Sequence, residues 1–127
     1  MKQLSVALKN EPGSLAGVCD ALAKSGINIV SLFAEGGNGS GAGSVTLVTA
    51  DENTAIRVLA EAGYRPVLSE IVTLKLDDRP GEMAKMTRKL ARARVNIESV
   101  YILNKGVGFT EIALKVDKPL DARVALR

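Results

Sequence analysis

The chain has 127 residues, of which 46% are hydrophobic and 24% charged, a composition typical of a soluble globular protein. It contains no histidine and one cysteine, which excludes an internal disulfide and removes the usual ligands and bases of zinc sites and histidine-dependent catalysis. The net charge is +3, and no apolar run approaches the roughly 20 residues of a membrane-spanning helix. We therefore expect a cytoplasmic protein with no metal, no cofactor and no membrane partner.

The chain begins with a pattern typical of a strand followed by a helix. Leu4, Val6 and Leu8 alternate with polar or small residues, which predicts a half-buried strand. Pro12 suits the first turn of a helix, where its missing N–H costs nothing, and Gly26 is a natural C-terminal end. The first two elements are therefore a strand and an amphipathic helix.

The rest of the first half predicts a hairpin, a second helix and a short last strand. Strands are expected over 27–33 and 44–49, and Asp51 can cap a helix that ends at Gly63. A short fourth strand follows at 67–68. The order strand-helix-strand-strand-helix-strand predicts a ferredoxin-like unit, a four-stranded antiparallel sheet with both helices on one face.

The sequence then repeats itself after 68 residues. Residues 6–32 align with residues 74–100, and nine of the 27 aligned positions are identical. The identities mark the helix start and the opening of the next strand: Pro12/Pro80, Gly13/Gly81, Asn28/Asn96 and Ile29/Ile97. A duplication of this kind predicts two structural units of the same type.

The second copy predicts the same elements except for the last strand. In order they are a strand at 72–76, a helix at 80–94, strands at 95–103 and 109–116 joined by a turn at 104–108, and a helix at 120–127 capped by Asp117. The predicted fold is α+β, with two tandem units at 1–70 and 71–127, the second shortened at its C-terminal end. Its first strand then has an unpaired edge, which we expect a second chain to cover.

Two motifs in the predicted hairpins are only weak indications of a function. The glycine-rich stretch 36–43 suggests a phosphate-binding loop, but such a loop leads into a helix, whereas here a strand follows. Segment 105–112 partly resembles the third strand of RNA recognition motifs, of whose base-stacking rings only Phe109 remains. We expect a flexible hairpin and no nucleic-acid partner, and RNA binding stays an alternative.

The strongest candidate site is the strand-to-helix corner, which occurs twice. The two corners are Asn10-Glu11-Pro12-Gly13-Ser14-Leu15 and Asp78-Arg79-Pro80-Gly81-Glu82-Met83. A glycine leaves the backbone uncovered, and the first N–H groups of a helix suit a carboxylate. Asn10 or Asp78 can accept hydrogen bonds from an ammonium group. Each corner could therefore bind a free amino acid, although Pro-Gly and Asn also occur in simple tight turns.

These corners resemble ACT domains, the regulatory modules found on aspartate kinase, phosphoglycerate dehydrogenase and prephenate dehydratase. The resemblance lies in the pattern Asn10-x-Pro12-Gly13-x-Leu15 followed by Gly26-Ile27-Asn28-Ile29, and in Asp78-x-Pro80-Gly81-x-Met83 followed by Val95-Asn96-Ile97. It covers nearly the whole chain as two tandem copies. In that family, an amino acid binds between the corner of one domain and the second strand of its neighbour.

The resemblance implies two mirror-related ligand sites. One comprises Asn10, Pro12, Gly13, Ser14 and Leu15 with Asn96 facing them, and the other comprises Asp78, Pro80, Gly81, Glu82 and Met83 with Asn28. Asp78 and Glu82 add negative charge beside the expected carboxylate position, so we expect the second site to be weaker or unused.

The implied function is that of a non-catalytic sensor of a free amino acid or a similar metabolite. We expect a homodimer that regulates a partner enzyme of amino-acid metabolism. The alternative from a different class is a protein–protein adaptor with no ligand.

Overall fold

The computed structural model describes residues 1–37 and 41–127, which form two compact units. The first unit is Lys2–Ser69, and the second is Glu70–Arg127 together with Met1. The elements are, in chain order, β1 (Lys2–Lys9), α1 (Ser14–Lys24), β2 (Ile29–Glu35), β3 (Ala42–Thr49), α2 (Glu52–Glu61), β4 (Val67–Glu70), β5 (Val72–Asp77), α3 (Glu82–Arg92), β6 (Ile97–Gly106), β7 (Phe109–Val116) and α4 (Pro119–Ala125). None of the described helices is both long and apolar enough to cross a membrane.

The first unit is a four-stranded sheet in the order β2-β3-β1-β4, in which β3 pairs antiparallel with β1 and β2. Its core joins alternate residues of β1 and β3 to the inner faces of α1 and α2: Leu4, Val6, Val18, Leu22, Val45, Leu47, Ala55 and Leu59. The alternation in β1 is the pattern from which the strand was predicted. The first half of the chain therefore has the predicted ferredoxin-like fold.

The second unit is a three-stranded antiparallel sheet in the order β5-β7-β6. Its core repeats the arrangement of the first: Val72, Met86, Leu90, Val95, Ile112, Leu114, Val116 and Ala122. Within the described residues, no strand pairs with the other edge of β5. The predicted α+β fold is confirmed, including the missing fourth strand of the second unit.

Both units carry a β-bulge at the same place in the repeat. The strand register shifts at Val30 in β2 and at Glu98 in β6, positions that are 68 residues apart. A bulge reverses which face the following side chains occupy. It pairs Leu32 with Leu47 and Val100 with Leu114, so these residues lie on the helix-covered face of their sheets.

The helix starts differ from the prediction in both copies. Helix α1 begins at Ser14 and α3 at Glu82, so Pro12 and Pro80 lie before the helices rather than in their first turns. The residue between is glycine at the N-cap position, with φ +90° at Gly13 and +89° at Gly81. This left-handed conformation is incompatible with a helical first turn that includes the proline.

Smaller differences have local causes. Strand β6 extends to Gly106, because Gly106 pairs with Phe109. A side chain at position 106 would collide with the Phe109 ring. The last helix is Pro119–Ala125 and no side chain caps it, so the prediction of Asp117 as its cap is wrong. By contrast, Asp51 caps α2 as predicted, accepting a bond of 3.1 Å from the Thr54 N–H. Residues 38–40 of the glycine-rich stretch lie outside the described residues.

Replacing Gly81 with alanine tests the conformational requirement of the corner. No atom lies within 4 Å of the position that a Cβ would take, so the only cost is the left-handed backbone. We expect Gly81→Ala to lower the free energy of unfolding by about 1–2 kcal/mol, measured by urea denaturation. Gly81→Asn is the control and should lose less, because asparagine tolerates this conformation better. Equal stability of the alanine variant and the unmodified chain would contradict the requirement.

Candidate functional site

Each corner is a type II turn placed between a strand and a helix. The Ser14 N–H donates to the Glu11 C=O at 3.3 Å, and the Glu82 N–H donates to the Arg79 C=O at 3.5 Å. Proline occupies the second position of each turn, and a glycine with ψ −12° occupies the third. This combination is the one that a type II turn favours, because proline presets φ and the next residue needs a positive φ.

The turn uses one amide of each helix start and leaves others available. The first bond within the helical register runs from Gly17 to Gly13 in α1 and from Lys85 to Gly81 in α3. No side chain caps either helix, and the amides at 15–16 and 83–84 have no acceptor among the described residues. The amides of Ser14 and Glu82 are therefore bonded to the turn, outside the helix. The remaining amides, at the positive end of the helix dipole, suit an anionic group.

The first corner borders a small cavity of about 150 Å³. Besides the corner itself, its lining comes from the end of β1, from the end of β2 and the glycine after it, and from the start of β3: Leu8, Lys9, Ala34, Glu35, Gly36, Gly43 and Ser44. The Asn10 amide lies directly over Gly36, since a Cβ there would be only 2.7 Å from Asn10 Oδ1. Asn10 also anchors the corner, because its backbone N–H donates to the Gly41 C=O at 3.1 Å.

The second corner borders a larger cavity of about 380 Å³ with an apolar floor. The apolar lining residues are Leu76, Met83, Val100, Ile102 and Ile112. Three of them remain partly open to solvent despite their size, with Met83 42%, Val100 43% and Ile102 56% exposed. Exposed apolar residues that line a concavity are typical of a binding surface.

Basic side chains pair with the acidic residues of the second corner. Arg79 Nε donates to Glu82 Oε1 at 2.7 Å, and Arg79 Nη2 lies 3.3 Å from Asp77 Oδ2. Lys105 Nζ lies 3.5 Å from Asp78 Oδ2. The hydrogen bond from Arg79 lowers the pKa of Glu82, and the charges of Arg79, Lys85 and Lys89 lower it further. We expected the second site to be weaker because Asp78 and Glu82 are negatively charged. Both charges are largely balanced by these basic partners.

Comparison with known proteins places this arrangement in a family. The model of the ACT domain pair matches residues 1–123. The chain belongs to the ACT domain pair family. No curated protein is significantly similar to it in sequence.

Solved structures resemble this ACT domain pair over nearly its whole length. Protein BT0572 from Bacteroides thetaiotaomicron has a TM-score of 0.88 at 24% identity, covering 98% of this chain and 85% of that one. The ligand-free regulatory subunit of aspartate kinase from Thermus thermophilus has a TM-score of 0.72 at 22% identity, covering 99% and 88%. That from Thermus flavus has a TM-score of 0.67 at 22% identity, covering 98% and 89%. These similarities show a shared fold.

The two asparagines assigned to the sites of the ACT domain pair lie far from the corner of their own unit. Asn28 precedes β2, where its C=O accepts a 3.1 Å bond from the Ala50 N–H. Asn96 precedes β6, where its N–H donates to Asp117 Oδ1 at 2.8 Å. The corner is at the other end of the strand, about 20 Å away for the seven residues of β2. That each asparagine faces the corner of a neighbouring domain stays a prediction.

Sequence reasoning missed the apolar floor of the second cavity. Val100 and Ile102 were placed in a predicted strand, but not in the site. Their exposure follows from the position of β6 at the edge of its sheet. One signal in the sequence could have indicated this floor. Val100 and Ile102 are alternate residues, so they lie on one face of the strand, and the predicted topology places that strand at the edge of the sheet.

Tyr101 lines the second cavity of the ACT domain pair and is half-buried. Burial raises the pKa of Tyr101 to about 12, so its phenol stays protonated at neutral pH. The described residues contain no group of three or more His, Cys, Asp or Glu side chains placed to hold a metal ion. The ring of Phe109 packs on Gly106, with Lys75 Nζ at 5.0 Å from the ring centroid.

The pKa of Glu82 provides a direct test of the charge pairing at the second corner. Because the folded-state pKa is lowered, the pairing stabilises the fold above the ordinary glutamate pKa and loses this effect as pH falls through the lowered value. In Arg79→Met, we expect the pKa of Glu82 to rise towards its ordinary value, measured by NMR titration of the carboxyl carbon.

Arg79→Lys is the matched control for that titration. It keeps the positive charge but loses the Nε donor, which is the largest cause of the lowered pKa. The pKa of Glu82 in this variant should therefore lie between those of the unmodified chain and the methionine variant. An unchanged pKa in Arg79→Met would show that Arg79 does not pair with Glu82 in solution.

Proposed function

We propose that this ACT domain pair is a non-catalytic, cytoplasmic regulatory protein that binds a free amino acid or a similar metabolite at its strand-to-helix corners. Residues 1–70 and 71–127 act as the two ACT domains. The observation that carries the proposal is the repeated corner, in which a left-handed glycine precedes a helix start whose amides at 15–16 and 83–84 have no acceptor among the described residues, and which borders a cavity in both units.

The chemistry of the corners suits the head group of an amino acid. Its carboxylate would accept hydrogen bonds from the open amides at 15–16 or 83–84, where the helix dipole favours negative charge. Its ammonium group would donate to Asn10 Oδ1 in the first corner or to an Asp78 oxygen in the second. Asp78 is available for this because its lysine partner is at 3.5 Å and both side chains are about half exposed, at 59% and 46%.

The second corner is the better candidate for an amino acid with an apolar side chain. Its cavity is larger, about 380 Å³ against 150 Å³, and Val100, Ile102 and Ile112 provide an apolar floor. The first cavity is smaller, is lined by the charged Glu35 as well as by small residues, and has the Asn10 amide lying over Gly36 at its edge. An aliphatic side chain in the second cavity would bury apolar surface that is exposed without ligand.

Regulation would follow from association. We propose that the chain forms a homodimer and that the ligand biases its interaction with an enzyme of amino-acid metabolism. The fold similarity to the regulatory subunits of aspartate kinase from two Thermus species supports an enzyme partner. A ligand that binds only the associated form shifts the equilibrium by its differential affinity.

A thermal-shift screen of the twenty amino acids tests the ligand. We expect one or a few aliphatic amino acids at millimolar concentration to raise the melting temperature, because binding to the folded state alone stabilises it by about 2.7 kcal/mol at a hundred times Kd. No response to any amino acid, from a sample shown by circular dichroism to be folded, would favour the adaptor without a ligand.

Two glutamate variants locate the site within the second unit. Ile102→Glu puts a charge on the cavity floor and should remove the shift for an aliphatic ligand. Val107→Glu is the matched control, because Val107 lies at the tip of the same hairpin, fully exposed and outside the cavity. A response that survives in Ile102→Glu would assign the ligand to the first corner, where Asn10→Ala should then remove it.

A further inference from the structure

The two corners differ in the residue that faces their first side chain. By the 68-residue repeat, Asp78 of the second corner corresponds to Asn10 of the first. The Asn10 amide lies over Gly36, which has no side chain. Asp78 instead faces Lys105, whose Nζ is 3.5 Å from Asp78 Oδ2. An amide above a glycine in one unit is therefore a carboxylate beside a lysine in the other.

Gly36 and Lys105 occupy equivalent positions near the end of the second strand of each unit. Lys105 pairs with Thr110. Gly36 lies opposite Gly43, one residue beyond the last pair of the β2–β3 register. Thr110 and Gly43 are equivalent in turn, because each pairs with a leucine of the first strand and these leucines are 68 residues apart. The lysine is thus a difference between two matched corners.

Lys105 is the cation that pairs with Asp78 in the second cavity. Both residues line this cavity. The other two acidic residues of its lining, Asp77 and Glu82, are paired with Arg79, whose planar guanidinium is a different group. A lysine side chain ends in a primary ammonium group with three N–H donors, as the head of a free amino acid does. Lys105 therefore presents to Asp78 the same group that an amino-acid ligand would present.

We propose that Lys105 determines the ligand specificity of the second corner, because its ammonium group occupies the place on Asp78 that the ammonium group of a bound amino acid takes. The inference rests on the function proposed above, in which Asp78 binds that group. A ligand then displaces Lys105 and exchanges one ion pair for another. Asp78 is paired in both states, so the ligand's ammonium group adds little net affinity, and its carboxylate and aliphatic side chain determine which ligand binds.

The structure allows this exchange without a movement of the backbone. The ion pair is half-exposed, so the lysine side chain can turn into solvent when it leaves Asp78. The hairpin that carries Lys105 stays attached to the corner, because the Asp78 N–H donates to the Gly108 C=O at 3.1 Å. The strength of an exposed ion pair corresponds to about a two- to fivefold change in affinity, which sets the size of the expected effect.

Amino acids and their analogues without an amino group test the inference. The probes are leucine, isoleucine and valine, each compared with the carboxylic acid that lacks its amino group, such as 4-methylpentanoate for leucine. NMR titration of the 83–84 amides gives a dissociation constant for the second corner alone. In Lys105→Met, we expect the amino acid to bind about two- to fivefold more tightly than in the unmodified chain, and the analogue to bind no more tightly.

Two further variants control for the change in net charge and for the presence of Asp78. Lys115→Met removes a lysine that is also 3.5 Å from its acidic partner, Glu98, but lies outside the cavity, and it should change neither dissociation constant. Asp78→Asn gives the second corner the side chain that the first corner has. In that background, Lys105→Met should no longer improve the binding of the amino acid, because no ion pair remains to be displaced.

Equal tightening for the amino acid and its analogue in Lys105→Met would overturn the inference, since the methionine would then act only as apolar surface. An improvement that persists with Asp78→Asn would do the same. An unchanged ratio of the two dissociation constants would overturn the inference and leave the proposed function in place. If none of the three amino acids shifts the 83–84 amides in either chain, the inference fails together with binding at the second corner, and the proposed function then depends on the first corner alone.

Discussion

The structure depends on a glycine held in the left-handed conformation immediately after a proline. At both corners this residue has nearly the same φ, +90° and +89°, and in neither case would a Cβ meet another atom. The glycine is therefore required by the backbone and not by crowding. The helix that follows has amides without an acceptor among the described residues, at 15–16 and 83–84, so the same corner both turns the chain and presents a helix start that can bind an anionic group.

What differs between the two corners is the strand that faces them. The bulge in β2 and in β6 brings two side chains of the edge strand to the helix-covered face, Leu32 and Ala34 in the first unit, Val100 and Ile102 in the second. Gly36 lets the Asn10 amide lie over the end of β2, and Gly43 lets the backbone of Glu35 and Gly36 approach β3 closely, so the first cavity is narrower. The second unit has aliphatic residues at its floor and charged pairs at its rim. The two corners have the same backbone conformation, and their different lining residues give two sites of different size and polarity.

The sequence was sufficient for the order of elements, the duplication and the missing strand, because alternation, turn residues and the repeat are local signals. It was insufficient for the helix starts. Pro12 is compatible both with the first turn of a helix and with the second position of a type II turn, and only the φ of Gly13 decides between them. The sequence also could not predict the charge pairing at the second corner. Whether Asp78 weakens the site depends on Lys105, which is distant from it in sequence and adjacent to it in space.

The two copies also differ on the face that the first helix of each unit presents beside its first strand. In the first unit, Gly17 has no side chain and the Tyr64 hydroxyl occupies the space over it. In the second unit, the 68-residue repeat places Lys85 at the corresponding position, and its side chain would collide with a ring held in the same way. Lys89 lies one helical turn further, and both lysines line a cavity together with Glu82, whose pKa their charges lower. The same helix therefore packs against an aromatic residue in one copy and carries interacting charges in the other.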